Sequence, residues 1–215
     1  MTFADLEAKI SERNITEVLH FTTNNGLLGI FSTESLLAHS ELPNEKRLSH
    51  ILQINCKDRS RDSAWHSYVN LSISKINGTF FSISKRWHAS ADIFWCILSF
   101  SPEIMTHENV VFSTTNNAYD LTERATGHAG FESLFKPSVR QFPTKLIIRP
   151  KTAQMMHTTC NQAEILYPKS VSISYLRRIY LSSYEHLHEV EAQIGVCSPN
   201  IVGTLDLIVA PELFS

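Results

Sequence analysis

The chain has 215 residues and a net charge of -2. This charge argues against a protein that binds nucleic acid through its overall charge, so any such contact must come from a local patch of cations. The length fits one domain, placed here at residues 1–215, and a hydrophobic content of 43% suffices for its core. No apolar run approaches the ~20 residues of a membrane span, and no signal peptide opens the sequence, so we expect a cytoplasmic protein without membrane contact.

The first third of the chain predicts a helix, a strand and a second helix. Apolar side chains at helical spacing favour a helix over residues 3–11, and residues 15–21 favour a strand that ends at His20-Phe21-Thr22. Residues 23–26 are turn or cap residues, after which a helix begins at Leu27. Residues 38–64 are polar and predict a long loop, a feature that compact domains usually keep for function.

The remaining elements are mostly short strands joined by long connections. Alternating apolar side chains predict a strand over 68–74, and a continuous apolar run predicts a central strand over 94–100. Later segments predict a short helix and several further elements, at residues 110–113, 131–135, 173–181, 190–196 and 205–209. The predicted fold class is therefore α+β, with a mixed, mostly antiparallel sheet.

Glu164 is the most unusual residue in these predicted strands. It lies in Gln162-Ala163-Glu164-Ile165-Leu166, a short apolar strand that Pro168 ends. A carboxylate in a strand suited to burial is costly unless it has a partner or a task. Alternatively, the strand is an edge strand and Glu164 points to water.

Several familiar sites are absent from the sequence. The seven glycines form no phosphate-binding loop, and no HExxH or GxSxG pattern occurs. The pair His186 and His188 is a weak signal for a metal, so no metal is expected.

Four segments, taken in order, resemble the DarT family of NAD-dependent ADP-ribosyltransferases, toxins that modify DNA bases. They are His20-Phe21-Thr22, Arg61 followed by the strand from Tyr68, the run that ends in Asn116-Asn117-Ala118, and Gln162-Ala163-Glu164. Asn117 stands where some family members have histidine. The resemblance covers about residues 18–190 and implies an ADP-ribosyltransferase-like fold with NAD as co-substrate.

The resemblance also implies roles for individual residues. Glu164 and Arg61 would be catalytic, although Arg59 lies two residues away and is an alternative to Arg61. The expected NAD contacts are His20, Phe21, Thr22, Gly29, Leu37, Arg61 and Tyr68. A carboxylate beside the ribose stabilises the positive charge that develops there, whereas a guanidinium stays protonated and suits the NAD pyrophosphate.

The acceptor is expected to bind a basic stretch before Glu164. No acidic residue lies between Glu132 and Glu164, whereas five cations do: Lys136, Arg140, Lys145, Arg149 and Lys151. Phe135, Phe142 and His157 are interleaved with this segment, and cations with aromatic rings are typical of single-strand binding. The predicted nucleic-acid contacts are Asn117, Lys145, Arg149 and Lys151. Alternatively, the stretch is a solvated loop with chance charges.

The sequence therefore predicts transfer of ADP-ribose from NAD to a base of single-stranded DNA. A toxin of this kind implies a cognate antitoxin that reverses or blocks the modification. Two alternatives remain open: a transferase of the same fold that acts on RNA, protein or a small molecule, and a binding module without catalysis.

Overall fold

A computed structural model describes residues 3–42, 60–89 and 92–214 of the chain. Its α-helices are α1 (Phe3–Glu12), α2 (Asn24–Thr33), α3 (Gly78–Trp87), α4 (Gly127–Ser133) and α5 (Leu187–Cys197). Short 3-10 helices connect other elements, and the one at Ser60–Trp65 leads into the third strand. In these described ranges, no helix is long and apolar enough to cross a membrane.

The strands build one large sheet and two small ones. They are β1 (Val18–Thr23), β2 (Ser35–Leu37), β3 (Tyr68–Ile73), β4 (Trp95–Phe100), β5 (Val111–Ser113), β6 (Arg124–Thr126), β7 (Ser138–Phe142), β8 (Lys145–Ile148), β9 (Glu164–Pro168), β10 (Ser170–Ser172), β11 (Leu176–Leu181) and β12 (Asp206–Val209). Eight of them form the sheet β12-β11-β4-β1-β3-β9-β5-β6. Only the β11–β12 pair is parallel, so the predicted α+β fold with a mostly antiparallel sheet is confirmed.

Helices cover both faces of the large sheet. The larger core cluster joins Val18, Leu98 and Ile165 to apolar side chains of α1, α2, α4 and α5. On the opposite face a smaller cluster places Phe81 of α3 against alternate side chains of β1 and β4. Since strand side chains alternate between faces, the two clusters account for the apolar pattern of the central strands.

The sheet opens between β1 and β3. These strands pair only at one end, through Val18 with Ile73 and Leu19 with Ser72. By contrast, β1 pairs with β4 along its whole length, from Val18 to Thr23. The remaining part of β1 has no ladder to β3, and main-chain groups at this gap therefore need other hydrogen-bond partners.

Local capping explains two differences from the sequence prediction. The second helix begins at Asn24 and not at Leu27, because the Thr23 hydroxyl caps it by accepting a hydrogen bond from the Gly26 amide. The helix α3 was not predicted, although the Asn77 side chain caps it by accepting from the Phe80 amide. In both places the cap residue was the signal available in the sequence.

The basic stretch is also more ordered than a loop. Residues 138–142 and 145–148 form the antiparallel hairpin β7–β8, whose tight connection is Pro143-Thr144. The hairpin has a buried side, with Val139 and Gln141, and an exposed side, with Phe142, Leu146 and Ile148. Its exposed apolar residues masked the strand signal, since they do not follow the usual alternation of apolar and polar side chains.

Candidate active site

His20 spans the gap between β1 and β3. Its Nδ1 lies 3.0 Å from the main-chain oxygen of Asn70. Where β1 no longer pairs with β3, this side chain takes the place of a main-chain partner for that oxygen. The imidazole is thereby fixed at the opening of the sheet.

Thr22 lies farther along the same strand and is almost completely buried. It packs against the first turn of α2, where a Cβ atom at Gly26 would overlap the Thr22 hydroxyl oxygen. The absence of a side chain at Gly26 therefore allows α2 to begin directly above β1. As a result, the threonine hydroxyl is held beside the start of the helix.

Glu164 begins the strand β9, which lies between β3 and β5 in the sheet interior. The alternative of an edge-strand Glu164 that points to water is therefore wrong, and only 6% of its surface is exposed. Its Oε2 accepts hydrogen bonds from the Asn117 amide at 2.6 Å and from Asn70 Nδ2 at 3.2 Å. Both donors fix the orientation of the carboxylate.

Asn70 contacts both His20 and Glu164. Its main-chain oxygen contacts His20, while its side-chain amide donates to Glu164. Asn70 was not among the predicted site residues, although it lies two residues after Tyr68 in the same strand. Its position in a strand with small polar neighbours was the only signal.

The loop between β5 and β6 contacts Glu164 through the main-chain amide of Asn117. Arg124 fixes this loop, because its Nε and Nη2 donate to the side-chain and main-chain oxygens of Asn117, both at 2.6 Å. Burial lowers the pKa of the Arg124 guanidinium, and the charges of Glu164 and Asp120 act in the opposite direction. Arg124 was not predicted as a site residue, because it comes seven residues after Asn117 and follows no recognised motif.

One donor beside Glu164 is unused. The Nδ2 of Asn117 is buried and has no hydrogen-bond partner among the residues that the structure describes. An unsatisfied buried donor of this kind is costly, and a bound acceptor such as a carbonyl oxygen would remove the cost. Asn117 was predicted to contact nucleic acid, and it lies in direct contact with the predicted catalytic carboxylate.

Tyr68 opens β3 and packs against an aromatic neighbour. Its ring lies 5.1 Å from the ring of Trp65, the last residue of the 3-10 helix Ser60–Trp65. Arg124 also approaches Trp65, with its guanidinium carbon 5.4 Å from the ring centroid. The main chain of Arg61 belongs to the same 3-10 helix, but its side chain lies outside the described part of the molecule, as does the whole of Arg59.

Three predicted NAD contacts occupy different surroundings. Phe21 points into the smaller core, 5.1 Å from Phe81 and 5.7 Å from Trp95. Gly29 is buried inside α2, and Leu37 lies in β2 opposite Ser170 of β10. Of these, Phe21 serves as a packing residue that holds β1 against α3.

The residues predicted to bind the nucleic-acid acceptor differ in their exposure and in their hydrogen bonds. Lys145 and Lys151 are exposed. Arg149 instead donates to the main-chain oxygens of His157 at 2.6 Å and Gln154 at 2.9 Å, and burial lowers its pKa. Its guanidinium therefore holds the turn that leads toward Glu164.

No cluster of three or more histidine, cysteine, aspartate or glutamate side chains suited to a metal occurs in residues 3–42, 60–89 and 92–214. The described site combines a buried carboxylate, amides, hydroxyls and a histidine. These groups can orient a sugar and a base through hydrogen bonds.

Comparisons with known proteins bear on the fold and the family. A search among curated sequences finds no match. Among solved structures, Thermus sp. 2.9 DarT in complex with carba-NAD+ has a TM-score of 0.65 at 15% identity, over 94% of this chain and 99% of that one. The complex of the same DarT with ADP-ribosylated ssDNA has a TM-score of 0.57 at 14% identity, over 93% and 96% of the two chains.

A third similar structure is longer than this chain. Thermosipho africanus DarTG in complex with ADP-ribose has a TM-score of 0.57 at 16% identity, and the match covers 93% of this chain and 51% of that one. These likenesses show the fold. The model of the family described as "ssDNA thymidine ADP-ribosyltransferase, DarT" matches residues 19–214, nearly the whole chain. The chain therefore belongs to the DarT family of ssDNA thymidine ADP-ribosyltransferases.

Proposed function

We propose that this protein transfers ADP-ribose from NAD to the base of thymidine in single-stranded DNA. The observation that carries the proposal is Glu164, a buried carboxylate with two donors on one oxygen, beside the gap in the sheet. The family match supports the choice of reaction and of thymidine as acceptor.

The gap between β1 and β3 is the proposed NAD site. His20 and Thr22 supply short polar groups along one wall, and Tyr68 supplies an aromatic ring at the other. We assign Arg61 to the pyrophosphate, because a guanidinium remains charged and matches phosphate oxygens. Gly29 and Leu37 remain proposed contacts through the family resemblance, whereas the packing of Phe21 favours an indirect role for that residue.

Glu164 is the proposed catalytic group. When NAD is bound, its nicotinamide–ribose bond breaks and positive charge develops on the ribose. A carboxylate already held by Asn70 and Asn117 stabilises that charge without having to reorganise. The same carboxylate can accept the proton that the thymine nitrogen loses as it bonds to the sugar.

Asn117, Lys145 and Lys151 are proposed to hold the acceptor. The unused Nδ2 of Asn117 suits a thymine carbonyl oxygen, since this is a buried donor next to Glu164. Lys145 and Lys151 are exposed cations suited to phosphates of the strand. Arg149 supports this surface from within by binding two loop carbonyls.

The decisive experiment supplies NAD labelled in its adenosine part to separate pools of single-stranded DNA, RNA and protein. We expect label in the DNA pool alone, and within it only in oligonucleotides that contain thymidine. Label in RNA or protein instead of DNA would contradict the proposed acceptor. Consumption of NAD without label in any pool would indicate a hydrolase.

A cognate antitoxin, a cytoplasmic location and a single domain over residues 1–215 complete the proposal. The similar DarTG structure supports the antitoxin, because its chain extends well beyond the part that matches this one. We expect expression of the chain alone to arrest bacterial growth, and co-expression of an enzyme that removes ADP-ribose from DNA to restore it. Unimpaired growth on expression of active protein would contradict the toxin assignment.

A further inference from the structure

An aromatic pair lies at the outer edge of the proposed active site. The rings of Tyr119, in the β5–β6 loop, and Phe142, at the end of β7, have centroids 4.5 Å apart and planes tilted by 49°. Phe142 keeps 39% of its surface exposed, although it is a large apolar side chain. Packing of the two rings against each other leaves part of Phe142 open to solvent.

Hydrogen bonds connect this pair to the segment that leads into β9, the strand that begins at Glu164. The Tyr119 hydroxyl donates to Gln162 Oε1 at 3.0 Å, and Gln141 Nε2 donates to the same oxygen at 3.1 Å. Gln141 is buried and immediately precedes Phe142. Tyr119 is therefore bonded to Gln162 directly, and Phe142 is held near Gln162 through its chain neighbour Gln141. Gln162 stands two residues, at most about 7 Å of extended chain, before Glu164.

The surroundings of Phe142 are cationic. Lys145 lies directly across the hairpin from Phe142, and Arg140 is two residues earlier on the same strand. Both side chains are exposed, and the Arg140 guanidinium donates to the main-chain oxygen of Pro143. An exposed ring flanked by two cations matches a base and its phosphates in a single strand better than it matches an uncharged apolar partner.

We propose that Phe142, supported by Tyr119, is a stacking platform for the base next to the modified thymidine. The inference rests on the proposed transfer to DNA and adds to it a residue that positions the strand. Thymidine binds at Glu164 and Asn117, and its neighbour stacks on Phe142, which keeps the acceptor in line with the carboxylate. The ring selects for an intact neighbouring base and has no part in bond breaking.

The test compares acceptor oligonucleotides that contain one thymidine and in which each neighbouring base is removed in turn to leave an abasic sugar. For the wild-type chain, removal of one particular neighbour should lower kcat/KM for transfer by about 5- to 150-fold, the usual effect of one base–aromatic stack. Phe142→Ala should lose a similar factor on the intact acceptor. It should lose no more when that neighbour is also removed, because both changes delete the same stacking interaction.

Matched variants separate stacking from other roles. Phe142→Trp should retain transfer, whereas Phe142→Leu, which keeps an apolar surface but no ring, should behave like Phe142→Ala. Ile148→Ala removes a more exposed apolar side chain, at 61%, from the far end of the same hairpin and should leave transfer unchanged. Acceptor-free hydrolysis of NAD should be equal in all of these variants.

Three results would contradict the proposed stacking role of Phe142. The first is equal sensitivity of wild type and Phe142→Ala to every abasic position, and the second is full activity of Phe142→Leu. The third is a parallel loss of NAD hydrolysis, which would give the ring a structural role in holding the segment that leads to Glu164. A wild-type chain that labels no DNA would overturn the proposed function itself, which distinguishes the two failures.

Discussion

Glu164 shows how burial and hydrogen bonding define a residue's role. Two donors meet on its Oε2, and one of them is a main-chain amide that no side-chain substitution removes. Because the carboxylate is fixed by groups from two other segments, its orientation is set before substrate arrives. Preorganisation of this kind is a main source of electrostatic catalysis.

Glu164→Gln should fold normally and lose about 10²–10³ in the rate of transfer, since the amide keeps the size of the side chain but not its charge. Transfer to a single-stranded oligonucleotide containing thymidine measures the loss, and the melting temperature reports folding. The control is Glu185→Gln, which changes an exposed glutamate and should be fully active. Near wild-type labelling by a folded Glu164→Gln protein would remove Glu164 from the mechanism.

Arg61→Ala should weaken NAD binding and turnover, whereas Arg59→Ala should have little effect. The reason is spacing, because Arg61 belongs to the 3-10 helix Ser60–Trp65 that leads directly to Tyr68. NAD affinity and kcat measured side by side for the two variants provide the comparison. The opposite ranking would move the catalytic assignment by two residues, to Arg59.

At the scale of elements, the contact between β1 and α2 shapes the proposed NAD site. The helix begins immediately after the strand, and the close approach depends on Gly26. The hydroxyl of Thr22 is held by this contact. Any change that lifts the first turn of α2 should therefore affect both stability and NAD binding.

Gly26→Ala should lower the free energy of unfolding by about 1–3 kcal/mol, the usual cost of overpacking, and should also weaken NAD binding. Gly195→Ala is the matched control, because it lies inside α5 and an added Cβ there meets no atom within 4 Å. This second variant should gain about 0.4–1 kcal/mol. Urea unfolding measures both, and equal stabilities would contradict the proposed contact with Thr22.

At the scale of the whole molecule, a net charge of -2 requires that DNA binding depend on local cations. The cations proposed for this purpose differ in their partners. Arg149 is engaged with two main-chain oxygens, and Lys136 forms an ion pair with Glu123, whereas Lys145 and Lys151 are exposed. The salt dependence of binding should reflect that division.

Replacing Lys145 and Lys151 with glutamine should lower the slope of log affinity for single-stranded DNA against log salt by about 0.7 for each phosphate that the variant no longer neutralises. Arg149→Gln should instead lower the melting temperature and leave most of the slope. Acceptor-free hydrolysis of NAD by the double lysine variant should equal that of wild type. If hydrolysis falls as far as transfer, these lysines belong to the NAD site, and if neither falls, they are only solvated charges.

Local sequence patterns were sufficient to predict many of the secondary-structure elements of this protein. Period and composition predicted the strands observed at Tyr68–Ile73 and Trp95–Phe100, because these features depend on residues close in sequence. The same is true of the helix α1 and of the strand that Pro168 ends. The order of four short motifs was enough to identify the family, which the family model confirms over residues 19–214.

Contacts between distant segments decided the rest. Glu164 is buried because β3 and β5 lie on both sides of β9, and its donor at Asn117 is 47 residues away in the chain. The engagement of Arg149, the packing of Phe21 in the core and the opening between β1 and β3 also depend on neighbours that no local window contains. Sequence alone therefore determined the family and many of the local elements, and only the tertiary structure decided which of the candidate residues meet.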